Sequence, residues 1–227
     1  GHSAGTYTGL ALNYMIQSDP QLNRDADGQE TISGFLGDDP GGGLFLPILE
    51  KNGQDVLYRT PEERTKFVKT LVISHQAYPL VYSNVVVGEF DAKNAPAGIS
   101  DTALINKRSM AKLFSKKGMD NVFRMYEVRS VSHQGDEDLE TNRNRDVQVV
   151  HLSRVMDAAV DLLDNWVEKG AEPPKTKADD SSVSTSPAIS LPETACPLGQ
   201  YYPFPPLRGN NSASAGVTTF EIGRAHV

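Results

Sequence analysis

Thr102-Ala-Leu-Ile-Asn-Lys-Arg-Ser-Met-Ala-Lys-Leu-Phe-Ser-Lys-Lys-Gly118 followed by Val122-Phe-Arg-Met-Tyr-Glu-Val128 sets two kinds of segment end to end. The first reads as a helix from Thr102 to Lys117 that Gly118 closes, because a residue just past a helix end adopts the left-handed conformation most cheaply as glycine. The second alternates apolar and polar residues with period two, the mark of a strand. Upstream, Tyr82 to Gly88 is continuously apolar at Val85, Val86 and Val87, as expected for a central strand covered on both faces. Downstream, Leu152, Val155, Met156, Ala159, Leu163, Trp166 and Val167 form one apolar stripe at helical spacing within 147–169, ending at Lys169-Gly170. Strands alternating with helices, the strands roughly 35 to 50 residues apart, argue for a mostly parallel α/β sheet with flanking helices rather than a sandwich.

Farther out the reading continues in both directions. Tyr7, Leu10, Ala11, Tyr14 and Met15 recur at helical spacing, so a helix is expected from Gly5 to Gln17, ending at Asp19-Pro20. Residues 19–43 are rich in Asp and Gly and read as loop around one short strand, Thr31 to Leu36. Thr60-Pro61-Glu62-Glu63 carries an N-cap, a proline at the first helical position and early acids, which predicts a helix running to about Gln76. Ala171 to Ser190 is Pro, Ser, Lys and Asp with almost no large apolar residue, hence flexible or wrapped over the surface. The aromatic and proline run at 201–206 is expected to pack back on its own domain.

Composition narrows the function. The 227 residues are 38% hydrophobic and 22% charged, ordinary for a globular domain, and the net charge of -7 gives no basic field to hold nucleic acid. Apolar runs such as Leu71 to Ile73 fall far short of the roughly 20 residues that span a bilayer. One cysteine, Cys196, excludes an internal disulfide and any zinc site built on several thiolates.

Gly1-His2-Ser3-Ala4-Gly5 has the pattern G-x-S-x-G, in which a serine sits on a sharp turn from strand to helix. Small residues two places to either side let strand and helix meet closely, and the free N–H groups of the helix start favour developing negative charge. Three fixed positions arise by chance in roughly one chain in ten of this length, so the helix directly behind the motif carries the weight. A serine nucleophile needs a base and the base an orienting acid. Of the five histidines, His226 lies in the terminal tail, His2 adjoins the serine and is expected to point away from it, and His75 and His151 fall on predicted helices as partly exposed structural residues. His133 lies in Ser130-Val-Ser-His-Gln-Gly135, just past a strand, where parallel α/β sites form. Asp91 ends Val85-Val-Val-Gly-Glu-Phe-Asp91 in the same way, with Glu89 and Asp101 as fallback acids. The order Ser3, Asp91, His133 is that of α/β-hydrolases and differs from chymotrypsin-like and subtilisin-like enzymes.

Gly1 to Gly5, Val85 to Asp91 and Tyr126 to His133 resemble the C-terminal half of an α/β-hydrolase of the esterase and lipase type, and the end of the last helix at 163–174 and the tail at 194–206 resemble its secreted or environmental members. The resemblance implies a carboxylic ester hydrolase with Ser3 as nucleophile, His133 as base, Asp91 as acid and the Ala4 N–H in the oxyanion hole, acting on a small or lipid-like ester without a cofactor. It implies that residues 1–170 are the C-terminal part of a catalytic domain, with lid or cap elements in 19–80, followed by a tail at 171–220, and that the early strands are missing. A chain so cut is expected to be unstable or inactive alone. Secreted or periplasmic relatives of this type favour export, where Cys196 would pair with a cysteine in the missing half; as a buried free thiol it would be structural. A serine peptidase or acyltransferase of the same fold, or a non-catalytic binding module, are the alternatives. Glu221-Ile-Gly-Arg-Ala-His-Val227 reads as a translated sequencing adapter and is expected to be non-native. Asn23, Asp25 and Asp27-Gly28 reproduce the start of a calcium loop, but Gly34 stands where a bidentate Glu belongs, so a solvated Asp/Gly turn is the default and no metal is expected.

Overall fold

The structure, a computed structural model, describes residues 1–2, 5–6, 9, 12–13, 15–16, 19–40, 50–51, 54–55, 60–65, 67–75, 103–129, 131 and 152–196. Three strands, β1 (Gly34–Asp38), β4 (Lys69–His75) and β5 (Phe123–Val128), form a parallel sheet in the order β1-β4-β5. A small antiparallel pair, β2 (Glu50–Lys51) and β3 (Gln54–Asp55), stands apart from it. The helices are α1 (Pro61–Thr65), α2 (Ala103–Lys116), α3 (Ser153–Lys169) and α4 (Pro192–Ala195). Every described residue of the stretch 5–16 is helical, and Asp19 caps a 3-10 turn at Pro20–Asn23. Among the described residues no helix is long and apolar enough to cross a membrane.

Strand alternation sorts the core into two layers. Val72, Phe123 and Met125 point to one face and pack with Met110, Ala111 and Phe114 of α2, while Leu71, Ile73, Tyr126 and Val128 point to the other and meet Val155, Met156 and Ala159 of α3. Leu71, Val72 and Ile73 are each fully buried, and burial of such side chains stabilises by about 1.5–3 kcal/mol apiece. Gly118 (φ 67°) and Gly170 (φ 66°) both take the left-handed conformation at helix ends, as the sequence predicts.

Two expectations need correction. The helix begun at Thr60 is closed by the predicted reciprocal cap, Glu63 N to Thr60 Oγ1 at 3.2 Å and Thr60 N to Glu63 Oε2 at 3.3 Å, but it ends at Thr65. The remainder, Lys69-Thr-Leu-Val-Ile-Ser-His75, is the middle strand of the sheet, because its β-branched run suits a pleated surface buried on both sides. The first strand lies at Gly34–Asp38, shifted toward the carboxyl end from Thr31 to Leu36. Cys196 is exposed and so is not a buried structural thiol. Tyr82 to Gly88, proposed above as the central strand, lies outside the described residues, as does 201–206.

The segment after α3 is wrapped on the sheet. Lys177 pairs in parallel with Tyr126 and Ile189 with Val128. Lys177 N donates to Met125 O and Glu127 N to Lys177 O, both at 2.9 Å, and farther along Ile189 N reaches Glu127 O at 2.8 Å and Arg129 N reaches Ile189 O at 2.9 Å. The outer edge of β5 is thereby paired.

Candidate functional site

At the other edge the sheet receives Gly1 and His2. His2 pairs in parallel with Asp38, Asp38 N donates to Gly1 O at 2.8 Å, and Gly1 N donates to Leu36 O at 3.0 Å. Gly5 N then reaches His2 O at 2.8 Å, and Gly5 and Thr6 are helical while His2 pairs with a strand. A Cβ on Gly1 would lie 2.7 Å from the Gly5 carbonyl carbon and oxygen, a clash with backbone that no side-chain rotation relieves. Gly37 meets the same constraint from β1, since a Cβ there would stand 2.5 Å from Thr6 Cγ2. Around Gly5 itself nothing lies within 4 Å of the corresponding position, so only the first glycine of the motif has a close neighbour.

Beside this turn lies a chain of buried charges at the carboxyl ends of β1 and β4. Asp38 Oδ2 is 2.7 Å from His2 Nδ1, and its Oδ1 is 2.8 Å from His75 Nε2. His75 Nδ1 stands 3.5 Å from Asp39 Oδ2, and Asp39 Oδ1 accepts from both the His75 backbone N–H, at 2.8 Å, and Lys107 Nζ of α2. His75 and Asp39 are fully buried and Lys107 is 2% exposed. Asp39 has φ 43°, a left-handed conformation that Asp tolerates better than most residues, and it turns the chain off the end of β1 so that its carboxylate meets α2. Burial alone would push the Asp38 carboxyl up, but the hydrogen bonds from His2 and His75, with their charge, outweigh it and hold it down at about 2. Both ring nitrogens of His75 thus face carboxylates, Asp38 at 2.8 Å and Asp39 at 3.5 Å, and the ring is fully buried between them.

The next residue of α2 pairs with a second buried carboxylate. Arg108 donates to both oxygens of Glu127, at 2.9 and 2.7 Å, and Glu127 is fully buried. Arg129 grips Asp179 in the same two-pronged way, at 2.6 and 2.5 Å, nearer solvent.

The structure thus assembles residues that the sequence argument had set aside. His75 is a buried strand residue, contrary to its expected place on a helix with partial exposure, and His2 is tied to Asp38. Asp38, Asp39 and Lys107 were not singled out; the signal available was a pair of acids at the end of a short apolar stretch, followed by Pro40. Ser3, Ala4, Glu89, Asp91, Asp101, His133 and His151 lie outside the described residues. In sequence, Glu89, Asp91 and Asp101 fall in the connection from the carboxyl end of β4 to α2, and His133 follows the carboxyl end of β5. Asn23 is buried and spends its amide on strand approach, accepting from Ile32 N at 2.8 Å and donating to Ile32 O at 2.8 Å. Asp25 Oδ1 accepts from Asp27 N and Gln29 N, at 2.9 and 2.8 Å, which is an Asp-initiated turn. Among the described residues no group of three His, Cys, Asp or Glu side chains is placed to hold a metal ion. A cleft of about 730 Å³ lined by Ile16, Ile32, Phe67, Val68 and Val122 opens at the amino ends of the strands, away from the end where parallel sheets carry their chemistry. No protein-family model, curated protein or solved structure matches the chain.

Proposed function

We propose that this chain carries the nucleophile end of a serine hydrolase of the α/β-hydrolase type, cleaving a carboxylic ester through an acyl-enzyme. The observation that carries the reading is that His2 pairs in parallel with Asp38 of β1 while Gly5, hydrogen-bonded back to His2 O, is already helical, with Gly1 packed against the Gly5 backbone. Ser3 belongs to that turn in sequence. In this reading Ser3 attacks the acyl carbon, His133 takes its proton and returns it to the leaving alcohol, and Asp91 orients the imidazole. The Ala4 N–H is assigned to the oxyanion hole in this reading; one such donor contributes about 3 kcal/mol to the transition state. Parallel order supports the assignment, because the connections that hold Asp91 and His133 leave the same end of the sheet as residue 2. The double acid contact of His75 supports His133 as the base.

Nitrophenyl ester turnover and fluorophosphonate labelling of the full-length protein test it. Both are expected to vanish in Ser3→Ala. Labelling that survives the substitution overturns the reading, and cleavage of a peptide anilide as efficiently as the ester replaces esterase with peptidase.

A further inference from the structure

We propose that Asp38 is a positioning residue for the nucleophile turn, a role that rests on the serine hydrolase reading above. Each of its nitrogen and oxygen atoms is engaged, and the partners bracket Ser3 in sequence. Its N–H holds Gly1 O at 2.8 Å, its carbonyl accepts from Thr6 Oγ1 at 3.1 Å, and one carboxylate oxygen holds His2 Nδ1 at 2.7 Å. Thr6 Oγ1 lies a further 2.5 Å from Gly1 O, so the two ends of the turn meet on the same residue. The other carboxylate oxygen holds His75 Nε2 at 2.8 Å, and through His75 and Asp39 the chain of contacts reaches Lys107 on α2. Residues 1, 2 and 6 are therefore referenced to the middle strand and to the α2 face of the sheet, not merely to a neighbouring loop.

Such referencing matters because a nucleophile displaced by about 1 Å loses about a hundredfold in rate. Asp38→Asn keeps the size of the side chain but replaces one accepting oxygen with a donating NH2, so His2 or His75 must either switch tautomer or lose its contact. His2→Ala removes the contact to residue 2 and leaves the buried His75 contact alone.

Pre-steady-state ester cleavage by the full-length protein separates position from folding, since burst amplitude counts competent molecules and burst rate reads how well each attacks. Asp38→Asn and His2→Ala are each expected to slow the burst about 10- to 100-fold, with KM changed less than threefold. His2→Asn, which retains a donor near the Nδ1 position, is expected to recover most of the rate lost in His2→Ala. If Asp38→Asn fails to fold, the two His2 variants decide. Loss of amplitude at an unchanged rate, or equal rates in His2→Asn and His2→Ala, overturns the positioning role while leaving the hydrolase reading intact, provided Ser3→Ala abolishes the burst. A burst that persists in Ser3→Ala overturns both.

Discussion

Lys107 and Arg108 are neighbours on one helix, and each leads into a buried carboxylate, yet the two systems end differently. Arg108 and Glu127 close on each other through two parallel hydrogen bonds, and the fork leaves neither carboxylate oxygen without a donor. Lys107 meets Asp39 as a point charge, and the remaining acceptor capacity of Asp39 passes to His75, from there to Asp38, and on to His2, whose side chain is 26% exposed. One system joins α2 to β5 and, through the Asp179 N–H on Glu127 Oε1 at 3.5 Å, ends on the segment that follows α3. The other is open-ended and runs from α2 through β4 to the turn at residues 1–5. Similar charges at consecutive positions thus separate a brace from a linkage, and the difference lies in guanidinium versus ammonium and in the imidazoles that extend the second.

Substitutions at the two acids break the contrast most sharply. Asp39→Ala removes the buried carboxylate to which Lys107 and the His75 backbone N–H donate and is expected to cost about 3–5 kcal/mol in urea unfolding. Glu127→Gln is expected to cost somewhat less, about 2–3 kcal/mol, because Arg108 is 21% exposed and can turn toward water. The ester burst rate of the folded fraction should be unchanged by Glu127→Gln; a slowing equal to that of Asp38→Asn would erase the distinction. Next in size is acid sensitivity. The Asp38 carboxyl is held at about 2 against an ordinary 3.8, so its ionised form stabilises the fold by about 2 kcal/mol above pH 4, a contribution lost as pH falls through about 2. The stability gap between wild type and Asp38→Asn should therefore narrow between pH 5 and pH 2, and a gap constant across that range would contradict the assignment. Smallest is Arg129→Ala at the exposed pair with Asp179, expected to shift the urea midpoint least of all these changes, and less again in high salt.

Helix ends and apolar periods were legible in the sequence. Gly118 and Gly170 stop α2 and α3 where expected, and the strand at Phe123–Val128 lies inside the predicted 122–128. The cap at Thr60 was legible too, but a cap fixes where a helix begins and carries no information about its length, so the strand behind it was absorbed into the helix. That error hid the site, since a histidine placed on a helix does not suggest a buried partner across a sheet. Asp38 and Asp39 were hidden for a related reason: Asp-Asp-Pro is ordinary loop chemistry until parallel pairing with β4 brings His75 alongside. Local pattern shows which residues start and stop elements; contacts between residues some 37 positions apart depend on strand order, which short-range pattern does not encode.

The segment that seals the outer edge of β5 also has a consequence in time. Its pairing residues, Lys177 and Ile189, are made some fifty to sixty residues after the strand they cover. At about 5–20 residues per second, a nascent chain carries β5 for several seconds with its outer backbone groups unpaired, open to another nascent strand. Chains stalled before Lys177 are thus expected to sediment as aggregates, and chains stalled well past Ile189 to stay dispersed. The late tail is in this sense a chaperone written into the same polypeptide, arriving after the surface it protects.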